Sequence, residues 1–381
     1  MFLFSLSYLK LLGGIYLGWS LGANDAANIF GPAVSSGMVK FRTAAIFITI
    51  FVILGAIVGG MPGMKTLGAL TSQNVNTAFV ISVAAAIAVT LLIILKLPVS
   101  ASQAVVGAIL GIGILQKQVN LGSLKKVVIC WICTPIGAAI IAILLYMLLT
   151  YILRKINVHF LDFDRTVRFM LIFSGAYGAY ALGANNVANV TGVYFQAGML
   201  TPFLAALVGS ISIAFGAVTY SRNLMTTVGK SIIPLNAFCA LIVVLSGAIT
   251  VDIFAHIGVP VSTSQAVIGA VLGVGIIRNV KAVNFKVLYR IFSGWLVTPV
   301  ISCIFSYTLY KIFYMRALIL SKIFSVELMC ILPSFLLFKA ICFSLCSSLI
   351  KSNIISLSVA VRRVFSSTII AAWLSDKNFP L

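Results

Sequence analysis

Long apolar segments follow one another along almost the whole chain, and no stretch between them is long enough to form a soluble domain. They run over 8–37, 43–61, 76–96, 98–115, 127–153, 168–198, 202–220, 233–257, 259–277, 288–314, 317–350 and 353–374. Crossing a hydrocarbon core of about 30 Å takes about 20 helical residues, which most of these segments supply. Inside a bilayer the backbone must satisfy its own polar groups, so such segments become helices. Composition agrees: 61% of the 381 residues are hydrophobic and only 8% are charged, against about 25% charged in soluble domains. The net charge of +20 comes from Lys and Arg scattered between the apolar runs. That is the pattern of membrane loops, not of a nucleic-acid interface. The expected fold class is an all-α polytopic protein of the cell membrane with about 10–12 hydrophobic segments. The N-terminal segment carries no small-residue cleavage site and is read as a retained membrane segment.

An internal repeat organises these segments. LGANDAAN at 21–28 returns as LGANNVAN at 182–189. Gly37-Met38 returns as Gly198-Met199, and Gly55-Ala56 as Gly216-Ala217. Pro98-Val99-Ser100-Ala101-Ser102-Gln103 returns as Pro260-Val261-Ser262-Thr263-Ser264-Gln265, and Trp131-x-x-Thr134-Pro135 as Trp295-x-x-Thr298-Pro299. The order is kept and the offset barely drifts, so the chain reads as two homologous repeats, 8–155 and 169–316, joined by a charged linker over 156–168. Interrupted apolar segments at matching places in two halves point to a transporter site at the repeat interface. The repeats are expected to be inverted, with broken helices and re-entrant half-helices. The remaining 317–381 has no counterpart in the repeat and no glycine. It is expected to be a peripheral hydrophobic tail.

The polar residues that interrupt apolar runs carry the chemistry. Only six acids are present, and Asp25 and Asp252 fall inside apolar stretches. A charge at the bilayer centre costs about 2.5–3.5 kcal/mol on insertion scales, which makes each a functional candidate. Lys10 and Lys40 flank Asp25 about 30 residues apart, or about 45 Å of helix, which sets Asn24, Asp25 and Asn28 near the midplane. Gly22 on one side and Gly31-Pro32 on the other predict two half-helices meeting at a polar break. Gly183, Asn185, Asn186 and Asn189 predict the same in the second copy. The Pro-Val-Ser segments carry helix-start signals. A helix N-terminus with hydroxyl and amide donors suits an oxyanion without a fixed charge to trap it.

Other groups leave their roles open. Asp252 and His256 are four residues apart and share a helix face, which fits a proton relay, a cation site or a simple pair near an aqueous end. Arg222 fits a positive-inside loop residue. The seven cysteines lie in apolar helices and read as small hydrophobes; Cys130-x-x-Cys133 has no histidine partners.

Duplicated GANDAAN and GANNVAN, each followed by a Pro-Val-Ser-x-Ser-Gln segment, resemble the PiT family of inorganic phosphate transporters over roughly 8–316. The resemblance implies import of phosphate by symport with Na⁺ or H⁺, through inverted repeats. It implies an anion site at Asn28, Asn189, Ser100, Ser102, Gln103, Ser262, Thr263, Ser264 and Gln265. It implies cation coupling at Asn24, Asp25, Asn185 and Asn186, with a Na⁺ there the one metal ion expected. Many family members keep Asp in both signatures, and Asn186 departs from that. Partners expected are phosphate and the lipid bilayer, with a second copy of the chain a further candidate, and no nucleic acid. Sulfate, a tetrahedral oxyanion of like size, is the alternative cargo. An anion channel would need no coupling carboxylate. No enzyme and no cofactor are expected, because six acids and two His without metal-ligand spacing give no general acid–base set.

Overall fold

A computed structural model describes residues 8–95, 99–155, 160–231, 236–278 and 285–329. Among these residues there are helices and no strand. In chain order they are α1 Leu11–Ser35, α2 Phe41–Gly59, α3 Met61–Gly68, α4 Val75–Ile94, α5 Ala101–Gln116 and α6 Leu121–Lys155, then α7 Phe160–Gln196, α8 Pro202–Ser231, α9 Ala237–Ile257, α10 Thr263–Arg278 and α11 Phe285–Met329. The chain divides into two compact units, Met1–Ile312 and Phe313–Leu381, and every candidate site residue lies in the first. Most of the expected tail, 330–381, lies outside the described residues, as does Pro98.

Seven stretches, in α2, α4, α6, α7, α8, α9 and α11, are long and apolar enough to cross a membrane. Their faces are arranged for lipid. On α2 the small residues Ala44, Ala45, Gly55 and Ala56 turn inward with Ile48 and Val52, while Ile46, Ile50, Leu54, Ile57 and Val58 face out. A water-soluble helix would put polar residues on that outer face. Packing without a hydrophobic drive between helices favours small residues at the contacts, because they let backbones approach.

Glycine makes the tightest of these approaches. α1 packs along α8, and α2 along α7. A Cβ on Gly22 would collide with the Ile213 carbonyl, and a Cβ on Gly183 with that of Val52. Each contact is the repeat-mate of the other.

Local chemistry sets the helix ends. Asn74 and Thr77 form a reciprocal capping box at the start of α4. Asn236 caps α9 through the Cys239 N–H at 2.8 Å, and Gly258, at φ +81°, ends it. Ser100 caps α5 through Gln103 N–H, and Ser262 receives the N–H of Gln265 in the same way. The two helices begun there, α5 and α10, have 16 residues each and are the half-helices of the fold.

The predicted breaks at the two signatures are absent. Residues 21–28 lie inside unbroken α1, and 182–189 inside unbroken α7. Gly22 and Gly183 serve close packing rather than interruption. Pro32 sits within a turn of the end of α1, where the bond it removes to the Asn28 carbonyl costs little continuity. The stretch 156–168, expected as a linker, is helical from Phe160 onward, and residues 156–159 lie outside the described ones.

Candidate functional site

The signature residues of α1 and α7 meet in the protein interior. Asp25 is 3% exposed. Its Oδ1 accepts from Asn24 Nδ2 at 2.9 Å and its Oδ2 from Asn186 Nδ2 at 2.6 Å. Asn186 Oδ1 in turn accepts from Asn185 at 2.8 Å and from Asn189 at 3.0 Å. The chain of amides thus runs from one repeat's carboxylate to the other repeat's asparagines.

The half-helices join the same network from the other side. Ser102, in the first turn of α5, donates to the Val261 carbonyl at 2.9 Å and accepts from Asn189 Nδ2 at 2.9 Å. Ser264, in the first turn of α10, donates to the Val99 carbonyl at 3.2 Å. Each helix therefore reaches across to the segment that precedes the other. The two N-termini meet head to head. Their positive dipole ends repel each other, and an oxyanion between them removes that cost. Ser100 and Ser262 occupy the Gln103 and Gln265 N–H groups. The earlier first-turn N–H groups have no partner within the helix. Asn28 Nδ2 donates to Thr263 Oγ1 at 3.4 Å, tying α1 to the head of α10.

Three side-chain oxygens here are buried without a donor: Asn189 Oδ1, Gln103 Oε1 and Gln265 Oε1. A buried unsatisfied polar atom costs about 1–3 kcal/mol. All three are acceptors, which is the chemistry a hard cation uses, whereas the helix ends are donors. Beside Asn28 and Thr263 lies a cavity of about 20 Å³, bounded also by Gly178, Gly247 and Val251. That is room for about one water. Asn24 is the signature amide that remains part-exposed.

All thirteen residues singled out from the sequence gather here. Backbone groups and one aromatic were missed. Val261 exchanges two hydrogen bonds with the Asn185 side chain, N–H to Oδ1 at 2.8 Å and Nδ2 to carbonyl at 2.9 Å. Trp131 of α6 donates its indole N–H to the Pro260 carbonyl at 3.3 Å. The duplicated Trp was a signal, but its role as an anchor of the Val259–Ser262 strap needed coordinates.

Residues 21–306 match the sequence profile of the phosphate transporter family. The chain belongs to the phosphate transporter family. It is a family of transporters, not of enzymes, and its member here is an integral multi-pass protein of the cell membrane. A relative from Methanocaldococcus jannaschii, provisionally named phosphate permease, is 33% identical over 299 residues, 78% of this chain and 95% of the relative. The sulfate permease of Bacillus subtilis is 29% identical over 309 residues, 80% of this chain and 87% of that one. A solved structure, "The sodium-dependent phosphate transporter", superposes with a TM-score of 0.71 at 22% identity, covering 82% of this chain and 99% of that one. At that identity the likeness establishes the fold.

Proposed function

We propose that the chain imports inorganic phosphate by cation symport, with Na⁺ as the coupling cation and two inverted repeats alternating access around the site. The carrying observation is the pair of half-helix N-termini meeting head to head beside one carboxylate. An oxyanion sits between the helix ends, held by first-turn N–H groups and by Asn28, Asn189, Ser102, Thr263 and Ser264. Ser100 and Ser262 hold those helix ends in shape. The cation sits on the acceptor side, with Asp25, Asn24, Asn185 and Asn186. Gln103 and Gln265 lie between the two, each with an oxygen for the cation and a nitrogen for the anion.

The order of binding follows from charge. An unpaired carboxylate repels an incoming oxyanion in a dry site. A cation at Asp25 removes that repulsion, so each ligand raises the affinity for the other. Na⁺ is favoured by the fold shared with a sodium-dependent transporter. Sulfate is the second reading, favoured by the likeness to a sulfate permease. Radiolabelled uptake into proteoliposomes, phosphate against sulfate and an imposed Na⁺ gradient against an H⁺ gradient, tests both. Phosphate accumulation driven by Na⁺ alone is the expected result. Accumulation of sulfate without phosphate would overturn the substrate, and accumulation under H⁺ alone would overturn the cation.

A further inference from the structure

Asp252 is the second carboxylate in an apolar helix, and the site above does not use it. It lies on α9, in the turns before Gly258. Its two oxygens are treated differently. Oδ2 accepts from the Tyr177 hydroxyl of α7 at 2.8 Å, whereas Oδ1 is buried with no donor. His256 follows one turn later. Its Nδ1 is 2.9 Å from the Asp252 backbone carbonyl and 3.6 Å from Oδ1. A carbonyl only accepts, so Nδ1 carries the hydrogen and Nε2 is the nitrogen open to protonation. The His256 side chain is 68% exposed. Lys126 of α6 sets its ammonium on the Ile257 carbonyl at 3.1 Å, which marks this end of α9 as an aqueous face.

A merely structural ion pair would aim the imidazole N–H at the carboxylate. Here the N–H goes to the backbone, and the carboxylate keeps an unsatisfied oxygen. The titratable groups facing Asp252 from α7 are Tyr177 and Tyr180. From α6 the nearby cation is Lys126, already on Ile257. Among the described residues of α1, α3 and α10, no acidic or basic side chain pairs with Asp252.

We propose that Asp252 Oδ1 is a proton-binding site, loaded from the aqueous face through His256 and separate from the cation site at Asp25. A small rotation of the exposed ring closes the gap. The Nδ1–H bond breaks as Oδ1–H forms, and a proton from hydronium at the aqueous face adds at Nε2, leaving water. The imidazole is left as its other neutral tautomer, and the net change is one proton on the carboxylate. Oδ2 is already taken by Tyr177, so the proton has one place to go. A neutral Asp252 lowers the cost of moving α9 relative to the bilayer. α9 packs on α1, α7 and α10, the helices that carry the site. Acid therefore speeds the transport cycle.

The test uses the full-length protein in lipid nanodiscs, without substrate. Infrared difference spectra between acid and alkaline pH should contain a protonated-carboxyl band that Asp252→Asn removes and Asp25→Asn leaves in place. Tyr177→Phe takes away the hydroxyl that bonds Oδ2, so the band should remain and its frequency should shift. His256→Gln should keep the band and slow its appearance after a pH jump by about a hundredfold. In proteoliposomes at a constant cation gradient, wild-type uptake should rise as pH falls, and Asp252→Asn uptake should be flat. The spectra do not depend on what is carried, so they stand apart from the phosphate reading, on which the uptake arm rests. A band untouched by Asp252→Asn, or a band frequency unmoved by Tyr177→Phe, overturns the proposal.

Discussion

Asn186 donates its amide to Asp25 Oδ2 at 2.6 Å, joining residues 161 apart that hold the same place in two copies of one motif. The repeats thus touch at the one position where their signatures differ in charge. A single carboxylate sits in an amide cradle, with both oxygens hydrogen-bonded and, among the described residues, no salt bridge to a cationic side chain. That arrangement holds a negative charge in place while leaving it to be neutralised by something that enters and leaves.

Asp25→Asn removes the charge and keeps the shape. The new amide can accept from one neighbour, but its nitrogen then faces the other neighbour's N–H₂, so one cradle contact is lost. Gradient-driven anion accumulation in proteoliposomes should fail under every cation gradient, even where equilibrium anion binding survives. Accumulation at the wild-type level would place coupling elsewhere.

Asn186→Asp tests the pair from the other side. Two carboxylates at this spacing do not both stay ionised without a cation or a proton. Uptake should then need more cation, with a steeper cation dependence and a lower rate at low Na⁺. An unchanged cation dependence would mean that these two side chains do not share the coupling ion.

Much of this site was legible in the sequence because its residue types are expensive in a membrane. Asp25 and the duplicated asparagines stand out against apolar helices, and their spacing marks them as one cluster. The Pro-Val-Ser segments announced half-helix starts, and α5 and α10 begin there. What misled was glycine. Gly22 in an apolar run reads equally as a helix breaker or as a place where another backbone comes close, and only the Ile213 carbonyl decides between them. Val261 was invisible for a different reason. Its contribution is a backbone N–H and carbonyl, which every residue has, and its side chain gives no sign of them.

Gly22→Ala and Gly183→Ala should both destabilise. The added methyl meets a backbone carbonyl rather than a side chain that can turn away, so helices must separate. Overpacking costs about 1–3 kcal/mol. Thermal unfolding in detergent should show a clear drop for both, and a similar one, since the contacts are repeat-mates. Gly37→Ala is a useful contrast: nothing lies near its missing Cβ, and the cost there comes from its φ of +74° alone. A wild-type unfolding temperature for Gly22→Ala would refute the close-packing role.

Ser102 and Ser264 should act directly on the anion. Each sits in the first turn of a half-helix and reaches across to the segment before the other, so each hydroxyl borders the space between the two N-termini. In this structure Ser102 spends its proton on the Val261 carbonyl, which also receives Asn185 and so keeps a partner if the serine turns to a ligand. Ser264 makes the longer bond, 3.2 Å to Val99, and is part-exposed, so it turns at lower cost. A hydrogen bond to a charged group is worth about 1.5–3 kcal/mol. Alanine at either position should therefore raise the half-saturation concentration for the anion about tenfold or more. Ser102→Ala should also lower thermal stability without ligand, because Asn189 loses one of its two acceptors. Ser264→Ala takes from Ser262 only a long 3.4 Å partner, and should lower stability less than Ser102→Ala does. Unchanged half-saturation in both variants, measured by initial uptake rates at matched expression, would limit these hydroxyls to holding the two helix ends together.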